Sequence, residues 1–177
     1  MNHTEVLVLH GSPGSGKSTL ANAIAERLRE MDIPHAVVDV DELARVYPEV
    51  GGSIGWQNLR AIWPNYAALP NLKVIIPVCI DSKRDLEELQ NAMPSSKFTI
   101  CELVADELVL KERVTRREPN EYWQTKLRNL VERHLVKGST AKFGDFLVRT
   151  DDRSVDEAAK QILNRLGWKR VEPEGMG

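Results

Sequence analysis

Two periodicities alternate along the chain. Glu5 to His10 is a short apolar run of the buried-strand type, and it breaks into a Gly/Ser/Pro stretch at Gly11–Gly16. A helical pattern follows, in which Leu20, Ala23, Ile24, Leu28 and Met31 recur at spacings of three and four until Pro34. Ala36–Val40 predicts a second strand leading to Asp41, which can cap a helix from Glu42. The stretch 48–56 is glycine-rich and reads as a mobile loop; Trp56, Leu59, Trp63 and Tyr66 then recur at helical spacing, with Pro64 kinking or restarting the helix. Leu72–Ile80 predicts a third strand, in which Pro77 is awkward because it cannot donate to a ladder.

The alternation continues to the end of the chain. A helix after Ser82, a strand at Phe98–Val104, and helices at Asp106–Arg117 and Glu121–Lys137 come next, with Pro119 between the last two. Phe146–Arg149 is the last strand. Ser154 to Glu157 fits a capping box, opening a helix with Val155, Ala158, Ala159, Ile162, Leu163 and Leu166 on one face before Gly167. Five strands separated by helices imply an α/β fold with a parallel sheet covered on both faces. At 177 residues one domain is expected, spanning 1–177 with a frayed tail at 170–177.

Composition narrows the class. Lys plus Arg number 24 against 26 Asp plus Glu, a net charge of −2, which speaks against a general nucleic-acid surface. Hydrophobic residues at 42% are enough for a packed core and exclude disorder as the main state. No apolar run approaches the ~20 residues that span a bilayer. The first residues lack the charged and apolar regions of a secretion signal. Cys79 and Cys101 show neither metal-ligand spacing nor a disulfide framework, and each ends a strand-like run. The expectation is reduced core thiols in a cytoplasmic protein without membrane contact.

The chemistry starts at Gly11-Ser12-Pro13-Gly14-Ser15-Gly16-Lys17-Ser18, which satisfies G-x-x-x-x-G-K-[ST] between an apolar strand and an amphipathic helix. Glycines let successive backbone N–H groups turn inward around phosphates, and the helix beginning near Lys17 points its positive end at the same place. In this motif Lys17 reaches the β and γ phosphates and the Ser18 hydroxyl ligates Mg²⁺, with Thr19 following in the same turn. Mg²⁺ and ATP are the expected cofactors. A guanine-reading Asn-Lys-x-Asp is absent, and 177 residues are too few for a motor or AAA-type ATPase.

With the Asp39-Val40-Asp41 segment and an arginine-rich helical region at Arg113, Arg116, Arg117 and Arg128, the chain resembles the P-loop small-molecule and nucleoside/nucleotide kinases. Adenylylsulfate, shikimate, gluconate and zeta-toxin-like kinases are the nearest echoes. The resemblance implies a three-layer α/β/α fold, a parallel sheet of order 2-3-1-4-5, and a helical lid. It further implies transfer of the γ-phosphate of Mg·ATP to a hydroxyl or phosphate of a small molecule, by a monomer or homodimer.

The resemblance also implies roles for particular residues. Asp39 would hold Mg²⁺. Asp41, on the same side of an extended segment, would receive the proton of the attacking hydroxyl, or else serve only as a helix cap. Arg45, one turn on, would face the acceptor or be the surface partner of Asp41. Arg113 would flank the adenine, while Arg116, Arg117 or Arg128 would reach the transferring phosphate; the alternative is a solvated basic helix end. Leu110 and Val114 define an apolar stripe with Arg117 on its centre line, which makes a buried guanidinium meeting an anion the sharper reading.

Thr150 and Asp151, in the loop after the fifth strand, would help hold the nucleotide base. The span 42–70 would be an acceptor-binding insert, in which Asn58, Trp63 and Tyr66 are either core or pocket, and 113–137 would hold the lid and the helix after it. Asp81 is equally placed to support a metal or to cap the Ser82 helix. His134, in the stripe Trp123, Leu127, Leu130, Val131, reads first as a packed, hydrogen-bonded core histidine. The segments after strand three depart from the adenylylsulfate and gluconate kinase patterns, as Val78–Ser82 and Cys79–Arg84 show, so no acceptor is named. An ATP-binding regulatory module and a polynucleotide 5′-hydroxyl kinase are the rival readings.

Overall fold

The computed structural model describes residues 3–48, 50, 53–138 and 143–168. The tail at 170–177 and the glycines at 51 and 52 lie outside the described residues. Five parallel strands, β1 (Thr4–Gly11), β2 (His35–Val37), β3 (Lys73–Val78), β4 (Ser96–Val104) and β5 (Phe146–Arg149), form one sheet in the order β2-β3-β1-β4-β5. The helices between them are α1 (Lys17–Glu30), α2 (Val40–Leu43), α3 (Ile54–Ala67), α4 (Lys83–Ala92), α5 (Glu107–Arg117), α6 (Glu121–Gly138) and α7 (Val155–Leu166). Both the α/β class and the expected strand order hold.

The pleat of β1 explains the three layers. Leu7 and Leu9 face the side covered by Leu20, Ile24 and Leu28 of α1 and by Ala158, Ala159 and Ile162 of α7. Val6 and Val8 face the other side, where Leu59 and Trp63 of α3 and Leu89 and Ala92 of α4 pack. A smaller cluster of Leu110 and Val114 from α5 with Val131 from α6 stands apart from both. That third cluster makes α5 and α6 a unit of their own at the sheet's C-terminal edge. Among the described residues, no helix is long and apolar enough to cross a membrane.

Several expectations about element boundaries change. β2 stops at Val37, and Asp39 rather than Asp41 caps the next helix, its side chain accepting from the Asp41 N–H. Asp41 therefore sits in the first turn of α2, not on an extended segment. The early end of β2 also accommodates Pro77. Val38 N–H bonds Ile75 O and Lys73 N–H bonds Pro34 O, so the odd-numbered residues of β3 aim their backbone groups toward β2. At Pro77 that neighbour has already ended, and no ladder bond is lost. Pro64 lies inside a helix that runs on as one element from Ile54 to Ala67. The Ser154–Glu157 capping box is present as expected.

Candidate active site

The phosphate loop leaves β1 at Gly11 and enters α1 at Lys17. Gly14 and Gly16 hold φ of +82° and +94°, values that side chains rarely adopt. At Gly14 a Cβ would also lie 2.7 Å from Leu110 O, so the loop fits against α5 only as glycine. Unlike α4 and α7, which Ser82 and Ser154 cap, α1 has no side-chain cap. Its first-turn N–H groups are thus left for a ligand at the positive end of the helix. Lys17 Nζ donates to Gly11 O at 2.8 Å and to Ser12 O at 3.1 Å, which holds the ammonium across the loop. Burial lowers the Lys17 pKa, against the opposing pull of Cys79 and Asp41.

A cavity of about 620 Å³ opens from this loop. Pro13 to Thr19 form its floor, Asp41, Cys79, Asp81 and His134 one wall, and Arg113, Thr150, Arg153 and Val155 another. Arg116, Arg117, Leu127 and Leu130 bring α5 and α6 to its mouth. Ser18 Oγ donates to Asp39 Oδ2 at 3.1 Å, while Asp39 Oδ1 accepts the Asp41 N–H at 3.0 Å. Asp41 opens on the cavity with its carboxyl pKa raised by desolvation first and by the neighbouring Asp39 second. Ser18 and Asp39 pair two hard oxygen donors beside the loop, and this donor set suits Mg²⁺, which prefers one or two such ligands and keeps its waters.

Arg113 is a clamp. Its Nη1 donates to Thr150 Oγ1 at 3.0 Å and to Gly14 O at 3.3 Å, and its Nη2 donates to Thr150 O at 2.7 Å. Thr150 Oγ1 in turn donates to Ser15 O at 3.0 Å. Three segments distant in sequence (the phosphate loop, α5 and the loop after β5) thereby share one guanidinium.

The other expected site residues divide. Arg117 lines the cavity mouth but is exposed rather than buried, and its Nε donates to Glu118. It is the last residue of α5, beyond the point where α6 covers the apolar stripe. Arg128 donates to Thr125 and does not line the cavity. Asp151 turns away: its carboxylate accepts the Asp106 N–H at the start of α5 and pairs with Arg149, contacts that hold its pKa low.

None of Arg45, Asn58, Trp63 and Tyr66 lines the cavity. Arg45 pairs with Glu42 on the surface, and Asn58 donates to Leu43 O, tying α3 to α2. Trp63 is 2% exposed and donates to Pro94 O, and Tyr66 packs against the same core cluster. Trp63 is core, and Tyr66 is half-buried against it.

Arg153, in the same expected base-holding loop as Thr150 and Asp151, joins Thr150 in the cavity wall. Ser82 caps α4, which frees Asp81 from that duty, and Asp81 instead faces His134 and Cys79. Cys79 lies in the cavity wall instead of the core, with its thiol pushed up to about 12 by burial. His134 is buried and hydrogen-bonded as expected, yet it also faces the cavity. His10, at the end of β1, accepts the Ile80 N–H through Nδ1 at 3.0 Å and joins β1 to the end of β3.

No family model matches the chain. No curated protein matches it either. Solved structures do match. A tunicamycin resistance protein from Deinococcus radiodurans superposes with a TM-score of 0.65 at 21% identity, over 96% of this chain and 99% of that one. The APS kinase of Mycobacterium tuberculosis, solved with AMPPNP and APS, gives 0.63 at 21% identity, over 95% and 100%. A gluconokinase from Sinorhizobium meliloti 1021 gives 0.63 at 21% identity, over 94% of each chain. Together with the 2-3-1-4-5 parallel sheet and the phosphate loop on its central strand, these likenesses show that the chain has the P-loop kinase fold.

Proposed function

We propose that the protein is an ATP-dependent phosphotransferase acting on a hydroxyl or phosphate group of a small molecule. The observation that carries this reading is that the phosphate loop and the Asp41 carboxyl line one cavity, while Asp39, which does not line it, is hydrogen-bonded to Ser18 of that loop and to the Asp41 N–H. Solved proteins of the same fold that are named as kinases support phosphotransfer in general, and their differing names give no acceptor for this chain.

Each residue then has a task set by its chemistry. Backbone N–H groups from Gly14 to Ser18 cradle the nucleotide phosphates, and Lys17, already braced by two carbonyls, supplies a positive charge to them. Ser18 and Asp39 would hold Mg²⁺, which when bound neutralises charge on the β and γ phosphates. Asp41 accepts the proton of the acceptor hydroxyl as its oxygen bonds to the γ-phosphorus and the bond to the ADP oxygen breaks. Arg113 fixes the loop that holds Thr150 and Arg153 beside the nucleotide. Arg116 and Arg117, on the α5–α6 unit, are placed to follow that unit as a lid and to offset charge on the transferring group.

The test is an ADP-release assay coupled to mass detection of product across a panel of sugars, nucleosides, hydroxy acids and antibiotics. A phosphorylated product that is lost in Lys17→Ala supports the reading. ATP binding without transfer to any panel member turns the balance to a nucleotide-binding regulatory module.

A further inference from the structure

At the C-terminal end of β3 three side chains of different chemistry meet. Cys79 Sγ lies 3.4 Å from Asp81 Oδ1 and 3.5 Å from His134 Nδ1. His134 Nδ1 lies 3.2 Å from the same Asp81 oxygen, so the three atoms form a nearly equilateral triangle. Cys79 and Asp81 follow β3 on either side of the buried Ile80, and α6 carries His134 to them. All three line the cavity.

Hydrogen bonding accounts for two sides of this triangle and leaves the third. Asp81 Oδ1 can accept from both the Cys79 thiol and the His134 ring, but the 3.5 Å approach of Cys79 Sγ to His134 Nδ1 then has no proton of its own. An ion at the centre serves all three. With bonds of about 2.3 Å to sulfur, 2.05 Å to nitrogen and 2.0 Å to oxygen, a tetrahedral ion separates these ligand atoms by about 3.5 Å (S to N), 3.5 Å (S to O) and 3.3 Å (N to O). The distances present are 3.5, 3.4 and 3.2 Å.

We propose that Cys79, Asp81 and His134 form a three-ligand site for a borderline-soft divalent cation, zinc by preference, with its fourth position open to the cavity. The ligand set separates this site from the Ser18–Asp39 pair, since thiolate and imidazole select against Mg²⁺. Charge balance favours it as well. Thiolate and carboxylate together cancel the two positive charges of the ion, so the filled site is neutral beside the buried Lys17 ammonium, which interacts with Cys79. Binding displaces the thiol proton, as metal binding to cysteine does. Nucleotide takes no part in the argument, so the site stands or falls independently of phosphotransfer.

The experiment titrates the full chain, stripped with EDTA and free of nucleotide, with Co²⁺ as a spectroscopic stand-in for zinc. The expected result is one equivalent bound, with thiolate-to-cobalt absorption in the near ultraviolet and the d–d bands of a tetrahedral ion. Excess Mg²⁺ leaves the spectrum unchanged, and one equivalent of Zn²⁺ removes it. The chain has two cysteines, so the sulfur is assignable: Cys79→Ser abolishes the near-ultraviolet band, whereas Cys101→Ser keeps it. His134→Ala weakens Co²⁺ binding at least about tenfold. Absence of the band in the unsubstituted protein overturns the proposal without reference to any variant, and so does a band that survives Cys79→Ser.

Discussion

Ser18 and Asp39 are joined directly: the serine hydroxyl donates to Asp39 Oδ2 at 3.1 Å, linking the first turn of α1 to the N-cap of α2. The second oxygen of the same carboxylate accepts the Asp41 N–H. One side chain therefore caps a helix, faces the phosphate loop and sets the position of Asp41. Asp39→Ala is expected to cost about 1 kcal/mol of stability through the lost cap. It also raises the Mg²⁺ concentration needed for nucleotide binding at least about tenfold. Urea unfolding and calorimetric titration at varied Mg²⁺ check the two effects separately.

Arg113 and Arg117 are predicted to behave oppositely. Arg113→Lys breaks a fork that serves Gly14 and Thr150 together, and a destabilisation of about 2 kcal/mol is expected, with weaker nucleotide binding. Arg117→Lys, at an exposed helix end, should change stability by less than about 0.5 kcal/mol while lowering turnover. Chemical denaturation alongside kcat distinguishes them; equal loss of stability in both would contradict the clamp.

Asp41→Asn should trade activity for stability. Burial and Asp39 raise the Asp41 pKa, so ionising it costs more in the folded chain than in the unfolded one. Any stability from the raised value is present below the ordinary 3.8 and lost as pH rises through the folded-state value. At neutral pH the asparagine variant is therefore more stable than the parent, and the advantage disappears in acid. Transfer should fall about 10²- to 10⁴-fold with nucleotide binding retained. Unfolding midpoints as a function of pH, with calorimetry for ATP, test both halves.

His10 gives the fold an acid limit. Burial, with His134 and Lys17 adding to it, lowers its pKa from 6.5 to about 4. The unfolded chain binds this proton first, so stability falls as pH drops from 6.5 toward 4, by about 3 kcal/mol. His10→Gln, whose side-chain carbonyl can still accept the Ile80 N–H, should flatten that slope. Urea midpoints of metal-free protein across the same range are the measurement; an unchanged slope would remove His10 as its source.

The reach of the sequence varied with the range of the interaction. The β1 run, the glycine-rich loop and the amphipathic face of α1 are contiguous, and their reading survives in the structure almost unaltered. The same local rule made Pro77 look misplaced, because the end of β2 lies some forty residues away in sequence and no window on β3 contains it. Arg117 followed the helical stripe correctly, but the stripe carries no mark of where α6 ceases to cover it. Asp151 sat in the expected loop and was drawn aside by Arg149 and the Asp106 N–H across 45 residues.

Periodicity and the spacing of one motif determined the class of fold and the phosphate loop, while the strand order was expected only from the family resemblance. Both depend on neighbours three, four or eight positions apart, where chain geometry leaves few choices. Tertiary structure decided which carboxylate caps α2, which arginine is a clamp and which a surface end, and that Trp63 is core. It alone brought Cys79, Asp81 and His134 together, since 53 residues separate the histidine from the aspartate. Distances of that kind are set by how α6 packs beyond the sheet edge, and no local pattern encodes them.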